Sequence, residues 1–581
     1  MKKLTIYLAV LLVITTVSCT KNFTKINTNP SSFTSAEPAY VLPGVFYTTL
    51  NRFALTNIQN LWEYGHQVQV QGRYNPGADD NWNKMYVNVL GNTVQLKKLF
   101  KDNPAYANTM AITDIWECYV YAFLVGTYGP CPYSHMGDTS NPYVLYDDEN
   151  TIYTSLLSRL KADAAALKTT GDKFTSDPIY GGDMTKWAKF ANSLRLRIAL
   201  TVQKNLPDLA VANIKELMAS ESTLFTSDAD DPKFNYGTAS GSQSQYNVSI
   251  VQSTSYLAGS APTMSDYIFT WFRSYKDPRL DAYFAKATTP FSITDTLTST
   301  ADNKHYIVSY PIPHLGQAKS TATLPNWTFV TPTHTTSEFP LNGNVANGNF
   351  STPQPILYTA TRPFYIMTYA ELCFMKAEAA LLGYGGTQTA DQYYYAGINA
   401  NFAFWGLSQA QATAYQTQDG IRWSSAGKGF YYDVTPAIST SLSTDNFKKI
   451  WLQQWLNYYD DGMFEAWLLQ RRTQNLPLPP HTTPGLGLAF TPAQNLPDRF
   501  PYPVTETANN PQGYASGLKF LGGTDFQATR LVFEPNYTAV DWTKVSAYYD
   551  ISYVQKWYGT TIQATQAAIV PAANFKIINS Y

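Results

Sequence analysis

The feature that most restricts this chain is the stretch from Phe364 to Leu382. It is apolar on nearly every side, carries alanines at 370, 377, 379 and 380, and is followed at once by Gly383. Small residues at helical spacing let a second helix approach closely, and a glycine just past the last apolar position is a helix terminator. A second helical stretch, Ala390 to Trp405, follows a short connector containing glycine. The two together read as a helical hairpin of about the length of one tetratricopeptide unit, although the motif itself is degenerate.

The same pattern recurs. Ile112, Ile115, Tyr119 and Ala122 fall three and four residues apart between Tyr106 and Tyr128, before Gly126, Gly129, Pro130 and Pro132 interrupt. Trp187, Phe190, Leu194, Ile198 and Val202 repeat it, with Asp183 placed as N-cap, so both predict core helices. Phe447 to Arg472 reads as two further helical pieces broken near Asp460 to Gly462. Residues 225–262 and 286–362 are rich in Ser, Thr, Asn, Gly and Pro, and 475–504 in Pro. They are expected to be long loops on a mainly α scaffold, within a single body spanning 36–581.

Residues 1–18 have the character of an export signal: Lys2 and Lys3 precede a mostly apolar run from Leu4 to Val17. The run is short for a bilayer core of roughly 30 Å. Ser18 followed by Cys19 suggests cleavage before the cysteine and acylation of Cys19, so that 19–35, ending in Asn27-Thr28-Asn29-Pro30, serves as a tether. No later apolar run approaches spanning length. The net charge of -1 gives no basic footprint for nucleic acid. Cys118, Cys131 and Cys373 form no CxxC pair and read as buried thiols.

Catalytic chemistry finds little support. Glu371 and Glu378 lie seven residues apart on one expected helix, about 10 Å along its axis, beyond the spacing of a retaining glycosidase pair. Ion pairing to Arg195, Arg197, Arg471 or Arg472 is the expected role. Histidines 66, 135, 305, 314, 334 and 481 make no HExxH, and His305 and His314 read as a solvated loop pair. Gly237–Gly241 (GTASG) displaces its serine from the nucleophile-elbow position, and GLGLAF from Gly485 lacks the final glycine of a phosphate loop. No metal or cofactor is called for, and Asp79-Asp80 alone makes a weak calcium site.

Binding is better supplied. The chain holds 43 Tyr, 30 Phe and 13 Trp against 14% charged residues, and flat rings with a polar handle suit stacking on sugars, though most must fill the core. Two loops combine rings with polar groups. Gln69–Trp82 (QVQGRYNPGADDNW) offers Arg73, Tyr74, Asn75 and Trp82 around a Pro-Gly turn, and a second loop offers Tyr310 and Trp327.

Several segments in order resemble the SusD/RagB family of Bacteroidetes outer-membrane nutrient-binding lipoproteins. They are Ile26–Pro30, YAFLVGTYGPCPY from Tyr121, KWAKFANSLRLRIA from Lys186, KDPRL from Lys276, YAELCFMKAEAA from Tyr369, FEAWLLQRRT from Phe464 and RFPYP from Arg499. The resemblance implies a SusD-like fold of tetratricopeptide-like hairpins with a loop-rich ligand-binding part. It also implies a non-enzymatic, lipid-anchored role at the cell surface of the outer membrane, capturing glycans for a SusC-like TonB-dependent transporter. Peptide capture, or a gate with little affinity of its own, are the alternatives within the family. One departure is that Thr20-Lys21-Asn22-Phe23 follows Cys19 where surface-displayed members often carry acidic residues.

Overall fold

Pro38 opens the first described helix, α1 (Pro38–Thr56), where a missing N–H costs nothing at the first turn. The computed structural model describes residues 37–69, 79–138, 140–253, 261–299, 301–316, 327–329, 337–339, 347–427, 445–474, 476, 497–535, 565–566 and 576–580. Cys19 and the tether lie outside them. The longer helices that follow are α2 (Gly91–Phe100), α3 (Ala107–Tyr128), α4 (Glu149–Ala166), α5 (Met184–Thr201), α6 (Pro207–Ala219) and α7 (Asp266–Ser274). After them come α8 (Tyr369–Leu381), α9 (Ala390–Phe404), α10 (Gln409–Gln416), α11 (Asp445–Asn457), α12 (Met463–Thr473) and α13 (Pro511–Phe520).

Consecutive helices pack on one another from α3 through α6, and α8 packs on both α9 and α11. Local chemistry explains the boundaries. Asp183 caps α5 by accepting from the Thr185 and Lys186 N–H groups, Thr368 caps α8 by accepting from Glu371 N–H, and Ser408 with Gln411 forms a capping box on α10. Gly383 ends α8 at φ 77°, a left-handed conformation that a side chain would strain. The α8–α9 approach is close because Gly397 has no side chain: a Cβ there would stand 2.5 Å from the Phe374 ring. Among the described residues, no helix is long and apolar enough to cross a membrane.

Two expectations are corrected. The apolar run does not begin its helix at Phe364. Phe364–Tyr365 is a strand paired antiparallel with Lys233–Phe234, and the helix starts only after the Thr368 cap. Apolarity all round fits either a buried strand or a helix, and the partner decides. Nor is 286–362 all loop. Phe291–Ser299 and His305–Ile312 form an antiparallel hairpin inside a four-stranded sheet that is completed by Thr565–Gln566 on one side and Lys576–Ser580 on the other. Alternation of Ser292, Thr294, Thr296 and Thr298 with Phe291, Ile293 and Leu297 is a strand period inside a composition that resembles loop.

Aromatic rings do fill the core. Trp62, Trp116, Trp187, Trp271, Trp455 and Trp467 are all buried, and Phe46 sits against Trp116 at 4.4 Å between centroids. Threaded through this core are arginines paired across long sequence separations. Arg197 makes two bonds of 2.7 Å to Glu371 and one of 3.0 Å to Glu465, and Arg472 holds Glu378 at 2.7 and 2.6 Å. The expected Glu–Arg pairing is therefore present, with Arg197 and Arg472 as the partners. Arg195 turns instead to Asn213 and Glu216, and Arg471 to the carbonyls of Gly126 and Asp498. Cys118, Cys131 and Cys373 are free and buried, as expected.

Candidate functional site

The elements that position a site are short. After α1 the helix continues through a π-helical stretch, Asn57–Leu61, and Trp62–Tyr64, then turns at His66, which adopts φ 52°. This turn delivers Val68–Gln69 to pair antiparallel with Thr263–Met264, Gln69 opposite Thr263. The ladder continues past the two strands. Met264 N–H donates to Ser351 O at 2.7 Å, and Ser351 N–H donates to Leu315 O at 3.0 Å. Three chain excursions thus leave from one place: 70–78 after Gln69, 254–260 ahead of Thr263, and the stretch from Gly316 to Phe350 between Leu315 and Ser351. The first carries most of the Gln69–Trp82 loop that composition nominates, and the third carries Trp327 of the second, whereas Tyr310 precedes it in the strand His305–Ile312.

A rigid aromatic wall supports this ladder. Trp455 of α11 donates its indole N–H to Gly65 O at 2.9 Å, and Gln67 donates to Trp455 O at 2.6 Å. Tyr267 of α7 meets Trp455 edge-on at 5.9 Å, with Trp271 at 6.1 Å from the same ring. Edge-to-face contacts of this kind stabilise beyond their buried area. The stems of the excursions are therefore held by backbone pairing above and by packed rings below.

The candidate residues fare differently. Arg73, Tyr74 and Asn75 lie outside the described residues. Tyr310 lies in the strand His305–Ile312, opposite Ile293, and Trp327 opens a two-stranded ribbon opposite Phe339. Their side chains lie outside the description. Trp82 is corrected: it is 2% exposed, with the rings of Tyr86, Tyr128, Tyr502 and Tyr146 at 4.6, 4.9, 5.7 and 5.8 Å. Four rings surround it and almost none of its surface is exposed, so its faces are spent on the core and none is left for a sugar. Next to it, Asn81 donates to the Tyr128 hydroxyl at 3.2 Å, which fixes the far stem of the first loop to α3.

His314 is also corrected. It is no solvated loop residue but 3% exposed, whereas His305 is exposed. Its Nε2 lies 2.9 Å from Asp281 Oδ1 and its Nδ1 lies 3.0 Å from Ser351 Oγ. A serine, a histidine and an aspartate in line suggest acyl transfer, but the order is inverted. Ser351 is 0% exposed, while the Asp281 side chain is 72% exposed, so the would-be nucleophile faces no substrate.

Metal and carboxylate chemistry are disfavoured by the donors present. Among the described residues one group, Asp114, Cys118 and Asp163, brings ligand atoms within 4.8 Å of one another. Lys97 reaches Asp114 at 2.7 Å and Arg159 reaches it at 2.6 Å. Burial, then the Asp114 charge, lifts Asp163 to about 9, and burial also drives the Cys118 thiol up. A site already holding two cations, a protonated carboxyl and a thiol has little attraction for a third cation. Side chains of Asp79 and Asp80 lie outside the description. Glu371 and Glu378 are each clamped by an arginine, so neither is free for general acid or base work. A cavity of about 30 Å³ between α1, α3, α5 and α12, lined by Phe53, Tyr119, Arg197 and Glu465, has room for water but not for a sugar.

A family model described as "Starch-binding associating with outer membrane" matches residues 30–503. No curated protein matches the sequence. Solved structures share the fold. A chitin-binding SusD homologue from Flavobacterium johnsoniae is similar at 22% identity and TM-score 0.66, over 86% of this chain and 99% of its own. A Bacteroidetes SusD-like protein matches at 20% identity and TM-score 0.67, over 86% of this chain and 100% of its own. A SusD homologue from Bacteroides vulgatus matches at 20% identity and TM-score 0.65, over 86% and 99%.

Proposed function

Since this chain belongs to the SusD-like family of outer-membrane-associated proteins, we propose that it captures oligosaccharides at the cell surface and delivers them to a SusC-like TonB-dependent transporter, held to the membrane through an acylated Cys19. The observation that carries the reading is the shared origin of the excursions 70–78, 254–260 and 316–350 on one rigid ladder. A glycan offers hydroxyls to polar groups and CH faces to rings, and stems fixed by packed aromatics lower the entropy cost of bringing both to one place. Tyr74 and Trp327 are the assigned stacking residues, with Arg73, Asn75 and Tyr310 as further assigned ligand contacts. The chain is assigned binding without turnover: among the described residues, Glu371 and Glu378 are held in ion pairs and the Ser351-His314-Asp281 line is closed to substrate.

Isothermal titration with starch- and chitin-derived oligosaccharides and with peptides of equal length tests the reading. At least one glycan is expected to bind, and Tyr74→Ala or Trp327→Ala to weaken it at least tenfold. Binding of peptides alone, or glycan affinity indifferent to both replacements, refutes it. Co-purification with a barrel-sized membrane protein from the native host, lost on Cys19→Ala, tests the partner and the anchor.

A further inference from the structure

The excursion 316–350 has a neck, and His314 occupies it. On the outgoing side, Pro313 O accepts from Ala287 N–H at 2.7 Å and Leu315 O accepts from Ser351 N–H at 3.0 Å. On the returning side, Ser351 O accepts from Met264 N–H at 2.7 Å, and Thr352 O accepts from Ala285 N–H at 2.8 Å. The His314 ring lies between them and spans from Ser351 Oγ to Asp281 on the short helix Arg279–Tyr283. Gln354 ties the same helix from the returning strand, donating to Asp281 O at 2.7 Å.

We propose that His314 is a positioning residue for the binding loops: it closes the neck of the excursion that carries Trp327, and through Ser351 and Met264 it sets that neck against the ladder from which 70–78 departs. The inference rests on the loop-borne binding site argued above. The hydrogen bond from His314 holds the Asp281 carboxyl below its ordinary range, so the carboxylate accepts from Nε2–H while the other ring nitrogen faces the Ser351 hydroxyl, and the ring bridges the two with one bond at each end. Ser351 has no exposure and His314 almost none, so no water stands ready to replace the bond between them, and losing the ring leaves a buried hydroxyl and a backbone ladder without its brace.

The experiment compares His314→Phe, which keeps the ring's bulk without its nitrogens, with His314→Gln, whose amide offers one donor and one acceptor at similar separation. Amide hydrogen exchange at Ser351 and Met264 is read together with affinity for a glycan that the wild-type chain binds. In His314→Phe both amides are expected to exchange faster and the glycan to bind about fivefold more weakly, the factor for one net hydrogen bond. In His314→Gln both effects are expected to shrink, and the unfolding temperature of the body to stay within a degree or two throughout. Unchanged exchange in His314→Phe overturns the brace. Faster exchange with unchanged affinity, or no rescue by glutamine, overturns its role in positioning. A wild-type chain that binds no glycan sinks the proposed function instead, and the exchange rates then decide the brace by themselves.

Discussion

Replacing Glu371 by alanine tests whether the buried carboxylates are structural. Glu371 is 2% exposed and holds Arg197 through two bonds of 2.7 Å, while the Tyr458 hydroxyl donates to it at 3.2 Å. Breaking one side of a buried ion pair typically costs about 3–5 kcal/mol, because the surviving charge is stranded. Here the stranding is partial. Glu465 stays 3.0 Å from Arg197, and its carboxyl, lifted to about 7 by burial against the pull of Arg197, is also pushed up by Glu371 itself. Deleting Glu371 removes that push, Glu465 ionises at neutral pH, and it takes over part of the pairing. A loss of about 3 kcal/mol follows. Over about 560 residues, an unfolding entropy of roughly 2.1 cal/mol/K per residue converts this to a drop of only ~2–3 °C in Tm, so the denaturant midpoint is the better readout. Guanidinium unfolding of Glu371→Ala, Arg197→Met and the double variant should show coupling of about 2 kcal/mol, with glycan affinity of each folded protein unchanged. A Glu371→Ala protein of wild-type stability that no longer binds its ligand would falsify the structural assignment.

Burial lifts Glu149 and Glu465 to about 7 and Asp231 to about 8. Their protonated forms favour the folded state, so that contribution is complete below the unfolded carboxylate range and disappears as pH rises through 7 to 8. Glu216, held near 2 by hydrogen bonds from Arg195 and Lys161, acts in the opposite sense but only in acid. Tm should therefore be higher at pH 6 than at pH 9, and a flat or rising profile contradicts the assignment. Trp82→Ala should cost about 3–5 kcal/mol in unfolding experiments, as for a core aromatic; a stable variant with lost glycan affinity would return Trp82 to the binding site. Gly397→Ala should destabilise by about 1–3 kcal/mol through collision with Phe374, overriding the ~1 kcal/mol helix preference for alanine, and a neutral or stabilising result would mean that α8 and α9 are free to separate.

Much of the scaffold was legible because helices are written locally. The three-and-four spacing from Ile112 to Ala122, the Asp183 cap and Gly383 each act within one or two turns, and α3, α5 and the end of α8 lie where those signals put them. Glutamates on an apolar helix need a cation, and the arginines that resembled family segments supplied were the right pool, although only Arg197 and Arg472 were taken. The candidate site was nominated from loop composition alone, and Arg73, Tyr74 and Asn75 lie outside the described residues.

What composition could not convey was which residues face one another. Trp82 looked like a loop aromatic until Tyr128 and Tyr502, 46 and 420 positions away in the numbering, closed around it. His314 looked solvated until Asp281 and Ser351 arrived from either side, and Phe364 looked helical until Lys233 and Phe234 offered a strand. The amino-acid order by itself determined where α3 and α5 lie, where α8 stops, and the family to which the chain belongs. Tertiary structure alone decided burial, strand partners and the ladder that gathers three excursions, because those depend on contacts between distant segments whose free energy no local pattern contains.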